Sequence, residues 1–287
     1  MVKRKNILDL LELKQTGRKI TAVACYDYTT ARLVSRAGVD MILVGDSAAE
    51  VLLGYESTLP ATMDMMVMLT AAVRRAAPEV CLVADMPFLS YHTSLADAVR
   101  NAGRFVQEAD AQIIKIEVSW PHIDVVKAVS DAGMSVMAHL GIRPQSVTKL
   151  GRLRAEGTTA ELAYELLELS EKMLEAGASS LLLEGTAREA AAIITQRTPV
   201  PVISCGSGPD CDGQILIVPD ILGLSSGPLP KFSKRFTDLD RAVEEAVASY
   251  AEEVRRGSFP DDSQCYHIKT GELEKLTQKL ACRDRNQ

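Results

Sequence analysis

Short, nearly continuous apolar runs alternate with longer stretches of helical spacing, and this alternation restricts the fold more than any other feature of the chain. The runs are Ile20–Cys25, Met41–Val44, Val80–Ala84, Gln112–Ile116, Ser135–Ala138, Ser179–Leu183, Val200–Ser204 and, more weakly, Ile215–Val218 or Ile221–Leu224. Each is about four to six residues long, the usual length of a strand. Runs that are apolar at nearly every position belong to strands covered on both faces, as in a parallel sheet. Between them, Tyr28–Arg36, Thr62–Ala77, Ser94–Ala109, Thr159–Glu175 and Thr186–Gln196 have helical spacing. Ala-Gly pairs at 37–38, 132–133 and 176–177 read as helix stops. Ser94 with Asp97, and Thr159 with Glu161, read as helix starts. The methionines of Met63–Met68 read as core packing.

About eight strand–helix units in one uninterrupted series predict an α/β chain folded as a (β/α)8 barrel, with a doubly wound open sheet as the alternative. The length of 287 residues accommodates one such barrel and a tail. Residues 1–262 are expected to form the barrel domain and residues 263–287 a C-terminal tail. Within that tail, 271–282 reads either as a short helix or as a frayed terminus.

Composition removes several classes of function. Lys and Arg total 32 against 38 Asp and Glu, a net charge of −6, so a broad nucleic-acid surface is not expected. No apolar run approaches the 18 or so residues of a membrane span. Met1 to Lys14 is charged and lacks the apolar stretch of a secretory signal. The six cysteines contain no C-x-x-C pair, which argues against a disulfide scaffold or a zinc site. A cytoplasmic, reduced enzyme is the expectation.

In a barrel of this kind the reactive groups emerge at the C-terminal ends of the strands. Gly45-Asp46-Ser47 follows the second run and Asp85 the third. Lys115 and Glu117 belong to the fourth, His139 follows the fifth and Glu184 ends the sixth. One acid at a strand end is usually a helix cap, but an inward ring of charges without a ligand would repel itself and suffer desolvation. Asp46, Asp85 and Glu117 are therefore expected to offer hard oxygens to Mg²⁺, which keeps several of its waters. The ion and Lys115 would neutralise an anionic 2-oxo acid, polarise its carbonyl and stabilise an enolate. Glu184 ends the apolar stretch Leu181-Leu182-Leu183. Burial would raise its pKa and suit it to act as a general base; a helix cap is the alternative. His139 either orients substrate or satisfies a backbone group. Gly206-Ser207-Gly208 is too short for a dinucleotide fingerprint and reads as a phosphate turn or a tight structural turn.

Taken in order, these residues and their surroundings resemble the ketopantoate hydroxymethyltransferase family. The matching pieces include Ala24-Cys25-Tyr26-Asp27-Tyr28, Leu43-Val44-Gly45-Asp46-Ser47, Gly54-Tyr55-Glu56-Ser57-Thr58-Leu59-Pro60 and Val83-Ala84-Asp85-Met86-Pro87. Further on stand Lys115-Ile116-Glu117, Ala138-His139-Leu140-Gly141, Pro144-Gln145-Ser146-Val147 and Leu183-Glu184-Gly185. The resemblance implies a barrel of the phosphoenolpyruvate/pyruvate-binding type, assembled as a homo-oligomer, commonly a decamer. It implies hydroxymethyl transfer from 5,10-methylenetetrahydrofolate to 2-oxoisovalerate (3-methyl-2-oxobutanoate), giving 2-dehydropantoate in pantothenate biosynthesis. By position, Asp46, Asp85 and Glu117 match the family's Mg²⁺-site acids. Ser47 and Lys115 match residues contacting the oxo acid, and Glu184 matches the proposed base. His139 joins the substrate-binding set.

The chain departs from the family pattern at Ala48-Ala49-Glu50, Val118-Ser119-Trp120, residues 151–158 and Ser204–Gly208. These loops should line or cover the site, so a paralogue acting on another 2-oxo acid or electrophile is one alternative. A carbon–carbon lyase of the isocitrate lyase or phosphoenolpyruvate mutase type is another, against which stands the missing Lys-Lys-Cys-Gly-His type of motif. A non-catalytic barrel is the third.

Overall fold

The structure, a computed structural model, describes residues 4–152, 154–225 and 227–285. The elements begin with α1 (Ile7–Gln15), β1 (Ile20–Ala24), α2 (Tyr28–Arg36), β2 (Met41–Val44), α3 (Ala48–Val51), α4 (Met63–Ala76), β3 (Cys81–Asp85), α5 (Leu95–Ala109), β4 (Ile113–Glu117) and α6 (Ile123–Asp131). They continue with β5 (Ser135–Gly141), α7 (Val147–Leu150), α8 (Ala160–Glu175), β6 (Ala178–Glu184), α9 (Arg188–Arg197), β7 (Val202–Cys205), β8 (Gly213–Ile217), α10 (Val218–Leu222), α11 (Leu239–Arg256) and α12 (Glu272–Asp284). The strands pair in parallel in chain order, and β8 closes on β1, so the sheet is a closed barrel and the open-sheet alternative is excluded.

Local chemistry sets the element ends. The side chains of Asp27, Thr62, Ser94 and Thr159 each accept a hydrogen bond from a backbone N–H in the first turn of their helix. The glycines of the three Ala-Gly stops adopt left-handed φ values of 86°, 88° and 99°, which a side chain would resist. Strand β8 opens with Gly213, where a Cβ would stand 2.6 Å from the carbonyl oxygen of Ile20, so the position takes glycine. Of the two weak candidates for the last strand, the first holds. Residues 221–222 instead lie in α10, which opens with Pro219 in its first turn.

The apolar residues divide into two layers. One lies between sheet and helices and includes Ile42, Val44, Ile114 and Ile116 with Met66, Phe105, Val126, Met173 and Ile194. Of the expected methionine stripe, Met66 is fully buried, while Met68 is 63 % exposed. The other layer fills the barrel: Ala22, Met41, Leu43, Cys81, Val83, Ile113, Met137, Leu182, Ile203 and Ile215, with Leu10 of α1 against it. Along each strand the two sets alternate, as the two-residue period of a strand requires.

The chain separates into two compact units, Met1–Thr237 and Asp238–Gln287. The second holds α11, ended by Gly257 in the left-handed region, and α12, which covers the stretch read as a short helix. Within it Tyr250 and Phe259 meet edge-on at 5.5 Å. Among the described residues no helix is long and apolar enough to cross a membrane.

Candidate active site

The inward-facing register of the barrel carries the site. Val83 and Cys81 face inward on β3, so Asp85 is the next inward position; Ile113 on β4 is followed inward by Lys115 and Glu117. By the same step Met137 leads to His139, Leu182 to Glu184, and Ile203 to Cys205. Strand pairing sets Asp85 beside Lys115, Glu117 beside His139, and Glu184 beside Cys205. These side chains and Asp46 line one cavity of about 240 Å³. Of the residues read from the sequence, Asp46, Ser47, Asp85, Lys115, Glu117, His139 and Glu184 all reach it.

Asp85 is fully buried. Its Oδ2 accepts from Lys115 Nζ at 2.7 Å and from the Asp46 backbone N–H at 3.0 Å. Burial pushes the Asp85 carboxyl up and Lys115 pulls it back, while Asp46 adds to the rise. Burial alone would lower the Lys115 pKa, but Asp85, Asp46 and Glu117 outweigh it and hold the ammonium charged. Asp46 accepts on Oδ2 from Gln145 Nε2 at 2.9 Å. Glu117 accepts on Oε2 from the Gln145 backbone N–H at 3.0 Å and on Oε1 from Ser146 Oγ at 3.1 Å. The hydroxyls of Tyr26 and Ser47 are 2.8 Å apart.

Glu184 stands four strands from Asp46, on the far side of the barrel. Burial raises its pKa from 4.5 to about 7, Lys115 pulling downward and Asp46, Glu117 and Glu50 adding to the rise. The helix-cap alternative has no support here, since no side-chain cap bonds the start of α9. His139 is buried and neutral: desolvation and the charge of Lys115 hold its pKa well below the ordinary value. Its Nε2 lies 3.4 Å from Glu184 Oε2.

Two features of the cavity call for a ligand. Among the described residues, six carboxylates line it (Asp46, Glu50, Asp85, Glu117, Glu184 and Asp220) against a single lysine. Among the same residues, six buried side-chain polar atoms lack a hydrogen-bond partner, and four of them belong to cavity residues: Thr58 Oγ1, Asp85 Oδ1, and both ring nitrogens of His139. Buried polar atoms are normally satisfied, so this concentration marks a place where something else binds.

A hard divalent cation fits the donor set. Asp85 has one oxygen held by protein donors and the other, Oδ1, buried without a partner. Asp46 likewise receives its side-chain bond on Oδ2. Glu117, the third acid of the expected set, accepts one hydrogen bond on each oxygen and keeps a lone pair on each. Among the described residues no group of three His, Cys, Asp or Glu is placed to hold an ion as it stands. Asp46 and Asp85, each with an oxygen that protein donors leave open, are suited to hold an ion that retains waters, and Glu117 is the third acid that could join them directly or through such a water.

Gly206-Ser207-Gly208 proves to be a tight structural turn. Ser207 Oγ donates to the Leu183 carbonyl at 2.8 Å and accepts from the Thr186 N–H at 3.0 Å. A Cβ on Gly206 would stand 2.4 Å from the Phe232 ring. Sequence reasoning gives no site role to Thr58, Gln145, Cys205, Asp220 or Phe232, yet Gln145 ties the acids together and the rest line the cavity. The sequence signal for Thr58 and Gln145 is their place in polar loops between strand ends and helices.

A closed parallel barrel whose ionisable groups gather in a cavity at the C-terminal rim defines the class: a (β/α)8 barrel with its site where barrel enzymes carry theirs. A phosphonopyruvate hydrolase, solved with oxalate and Mg²⁺, superposes with a TM-score of 0.59 over 98 % of this chain and 97 % of that one, at 16 % identity. A 2,3-dimethylmalate lyase of the PEP mutase/isocitrate lyase superfamily gives 0.58 over 96 % and 99 %, at 17 % identity. At such identities the likeness is one of fold. More particularly, the chain belongs to the ketopantoate hydroxymethyltransferase family, whose model matches residues 4–262, and it is an enzyme. The 3-methyl-2-oxobutanoate hydroxymethyltransferase of Geobacter metallireducens is 43 % identical over 266 residues, covering 93 % of this chain and all of the relative. That of Hyperthermus butylicus is 46 % identical over 270 residues, covering 94 % and 93 %.

Proposed function

We propose that the chain transfers a hydroxymethyl group from 5,10-methylenetetrahydrofolate to C3 of 3-methyl-2-oxobutanoate, giving 2-dehydropantoate, and that Mg²⁺ is required. Family membership and the names of the relatives support the oxo acid as substrate. The excess of carboxylates and the unpartnered Asp85 Oδ1 support the cation. Held by Asp46 and Asp85, Mg²⁺ would supply Lewis-acid polarisation of the oxo group and so make the C3–H acidic. Pantothenate biosynthesis, a cytoplasmic setting and a homo-oligomeric assembly belong to the same reading.

The chain's own residues then have distinct tasks. Lys115, fixed by Asp85, places a positive charge at the cavity floor where an anionic substrate needs one. Ser47, positioned by Tyr26, offers a hydroxyl to the oxo acid. His139, with Glu184 Oε2 3.4 Å from its Nε2, can donate from one ring nitrogen or accept at the other. Glu184 takes the C3 proton. The electron pair left at C3 forms a bond to the methylene carbon as one of that carbon's two C–N bonds breaks, and the freed nitrogen takes up a proton. A water then supplies the hydroxyl as the second C–N bond breaks, and the departing nitrogen takes the proton, so that oxo acid, methylenetetrahydrofolate and water give 2-dehydropantoate and tetrahydrofolate.

The observation that carries this reading is Glu184, a carboxylate tuned by burial to about 7 in the cavity that holds the Asp85–Lys115 pair. A base is most useful when its pKa is near the working pH. The test is solvent deuterium exchange at C3 of 3-methyl-2-oxobutanoate, with and without Mg²⁺. A parallel incubation with methylenetetrahydrofolate is analysed by mass spectrometry. Metal-dependent exchange and formation of the hydroxymethyl product are expected. Exchange that persists in Asp46→Ala/Asp85→Ala would defeat the mechanism. Exchange without product formation would reject the donor and leave the enolate chemistry intact.

A further inference from the structure

Gln145 is 2 % exposed and belongs to a polar network in which every group of its amide is engaged. Nε2 donates to Asp46 Oδ2 and to the Met86 carbonyl, both at 2.9 Å. Oε1 accepts from the Tyr91 hydroxyl at 2.7 Å, and that hydroxyl also lies 3.0 Å from the Glu117 carbonyl. The backbone N–H donates to Glu117 Oε2. One residue thus grips two of the rim carboxylates, one through its side chain and one through its main chain.

The amide can face only one way. Turned over, Oε1 would confront the Asp46 carboxylate and the Met86 carbonyl, neither of which can donate. The buried amide would then meet two acceptors with an acceptor, a costly mismatch in a low-dielectric interior. Tyr91 closes the remaining side, because its hydroxyl supplies the one donor that Oε1 needs.

We propose that Gln145 is a positioning residue for the cation site, fixing Asp46 by one oxygen so that its other oxygen is presented to the ion, with Tyr91 holding the amide in place. The inference rests on the reading of Asp46 and Asp85 as the metal-holding pair. It assigns a role to two residues that touch neither substrate nor ion. Partners that orient a metal ligand typically govern affinity by roughly 10–100-fold.

The experiment is calorimetric titration of Mg²⁺ alone into the full chain, for the wild type, Gln145→Met and Tyr91→Phe. Thermal melting of each protein is recorded alongside. Gln145→Met keeps the volume and removes both side-chain donors; its Mg²⁺ dissociation constant should rise by roughly 10–100-fold. Tyr91→Phe removes one oxygen and should raise it several-fold. In turnover assays the Mg²⁺ concentration for half-activity should rise likewise, with kcat at saturating Mg²⁺ little changed. A purely structural role would lower the melting temperature and leave Mg²⁺ affinity alone. Unchanged affinity in folded Gln145→Met overturns the inference, and if that variant fails to fold, unchanged affinity in Tyr91→Phe does so. A wild type that binds no Mg²⁺ overturns the metal reading and this inference with it. Tight wild-type binding with unaltered variants overturns the inference only.

Discussion

Replacing Glu184 with glutamine should push stability and activity in opposite directions. Glutamine keeps the shape and removes the charge. The folded protein raises the pKa of Glu184 from 4.5 to about 7. A raised carboxylate pKa means that the native state disfavours the charged form, so ionisation opposes folding above the unfolded pKa. The difference of about 2.5 in pKa corresponds to about 3 kcal/mol, at 1.36 kcal/mol per unit. This is an upper bound, because the side chain is 23 % exposed and the glutamine amide must find its own partners. Below about pH 4 both states are protonated and the penalty is absent; above about pH 8 it is complete. Glu184→Gln should therefore match the wild type near pH 4 and exceed it by up to about 3 kcal/mol at pH 8. For a domain of this size that is roughly 6–12 °C in melting temperature. Chelator must be present, since a bound cation would lower the pKa and shrink the gap. Meanwhile C3 exchange of the oxo acid should fall by roughly 10²–10⁴, the usual contribution of a positioned base. A stability gap that does not grow with pH, or exchange within about tenfold of wild type, would refute the assignment.

Further expectations follow from the same geometry. Asp85→Asn leaves Lys115 buried without its ion pair; denaturant titration should show a loss of about 3–5 kcal/mol, and Mg²⁺ affinity should fall by more than roughly 100-fold. Retention of wild-type affinity would remove Asp85 from the cation site. Gly141→Ala would put a Cβ 2.1 Å from the Glu184 carbonyl oxygen at a φ of +94°, so the variant should lose more than about 3 kcal/mol or fail to fold; a well-behaved protein with native stability would contradict the geometry. Met137→Ala empties part of the barrel interior and should cost about 2–5 kcal/mol by urea denaturation, with C3 exchange preserved in the folded fraction.

Much of the architecture can be read from the sequence because each strand is a short run covered on both faces. The same pattern marks the strand ends, and with them Asp46, Asp85, Lys115, Glu117, His139 and Glu184. The last strand is ambiguous in sequence because it begins with Gly213, which close contact with Ile20 keeps a glycine, and exposed Gln214, so its first two positions carry no apolar signal. The helix read from Thr186 begins at Arg188. Thr186 is spent on Ser207 and on a bridge to Glu156, partners far away in the chain. Gln145 escapes a sequence reading for a similar reason: its partners Asp46, Met86, Tyr91 and Glu117 are spread over three other strand–helix units. His139 can be read either way from its neighbours, and only its place on the cavity wall, with Glu184 Oε2 3.4 Å from its Nε2, marks it as a ligand-facing group. The sharing of work among the acids also lies beyond spacing, because it depends on which oxygen each hydrogen bond occupies.

The alternation of inward and outward positions has a bearing on how such a catalyst changes over time. Apart from Asp46 and Ser47, which sit in the loop after β2, the reactive groups are the upper rungs of ladders whose lower rungs fill the barrel, as with Ile113, Lys115 and Glu117 or Leu182 and Glu184. Exchanging the top rung leaves the steps beneath it undisturbed. New chemistry can therefore be tried one strand at a time, while a slip of a single residue in any ladder would expose its apolar rungs and turn its charge outward at once.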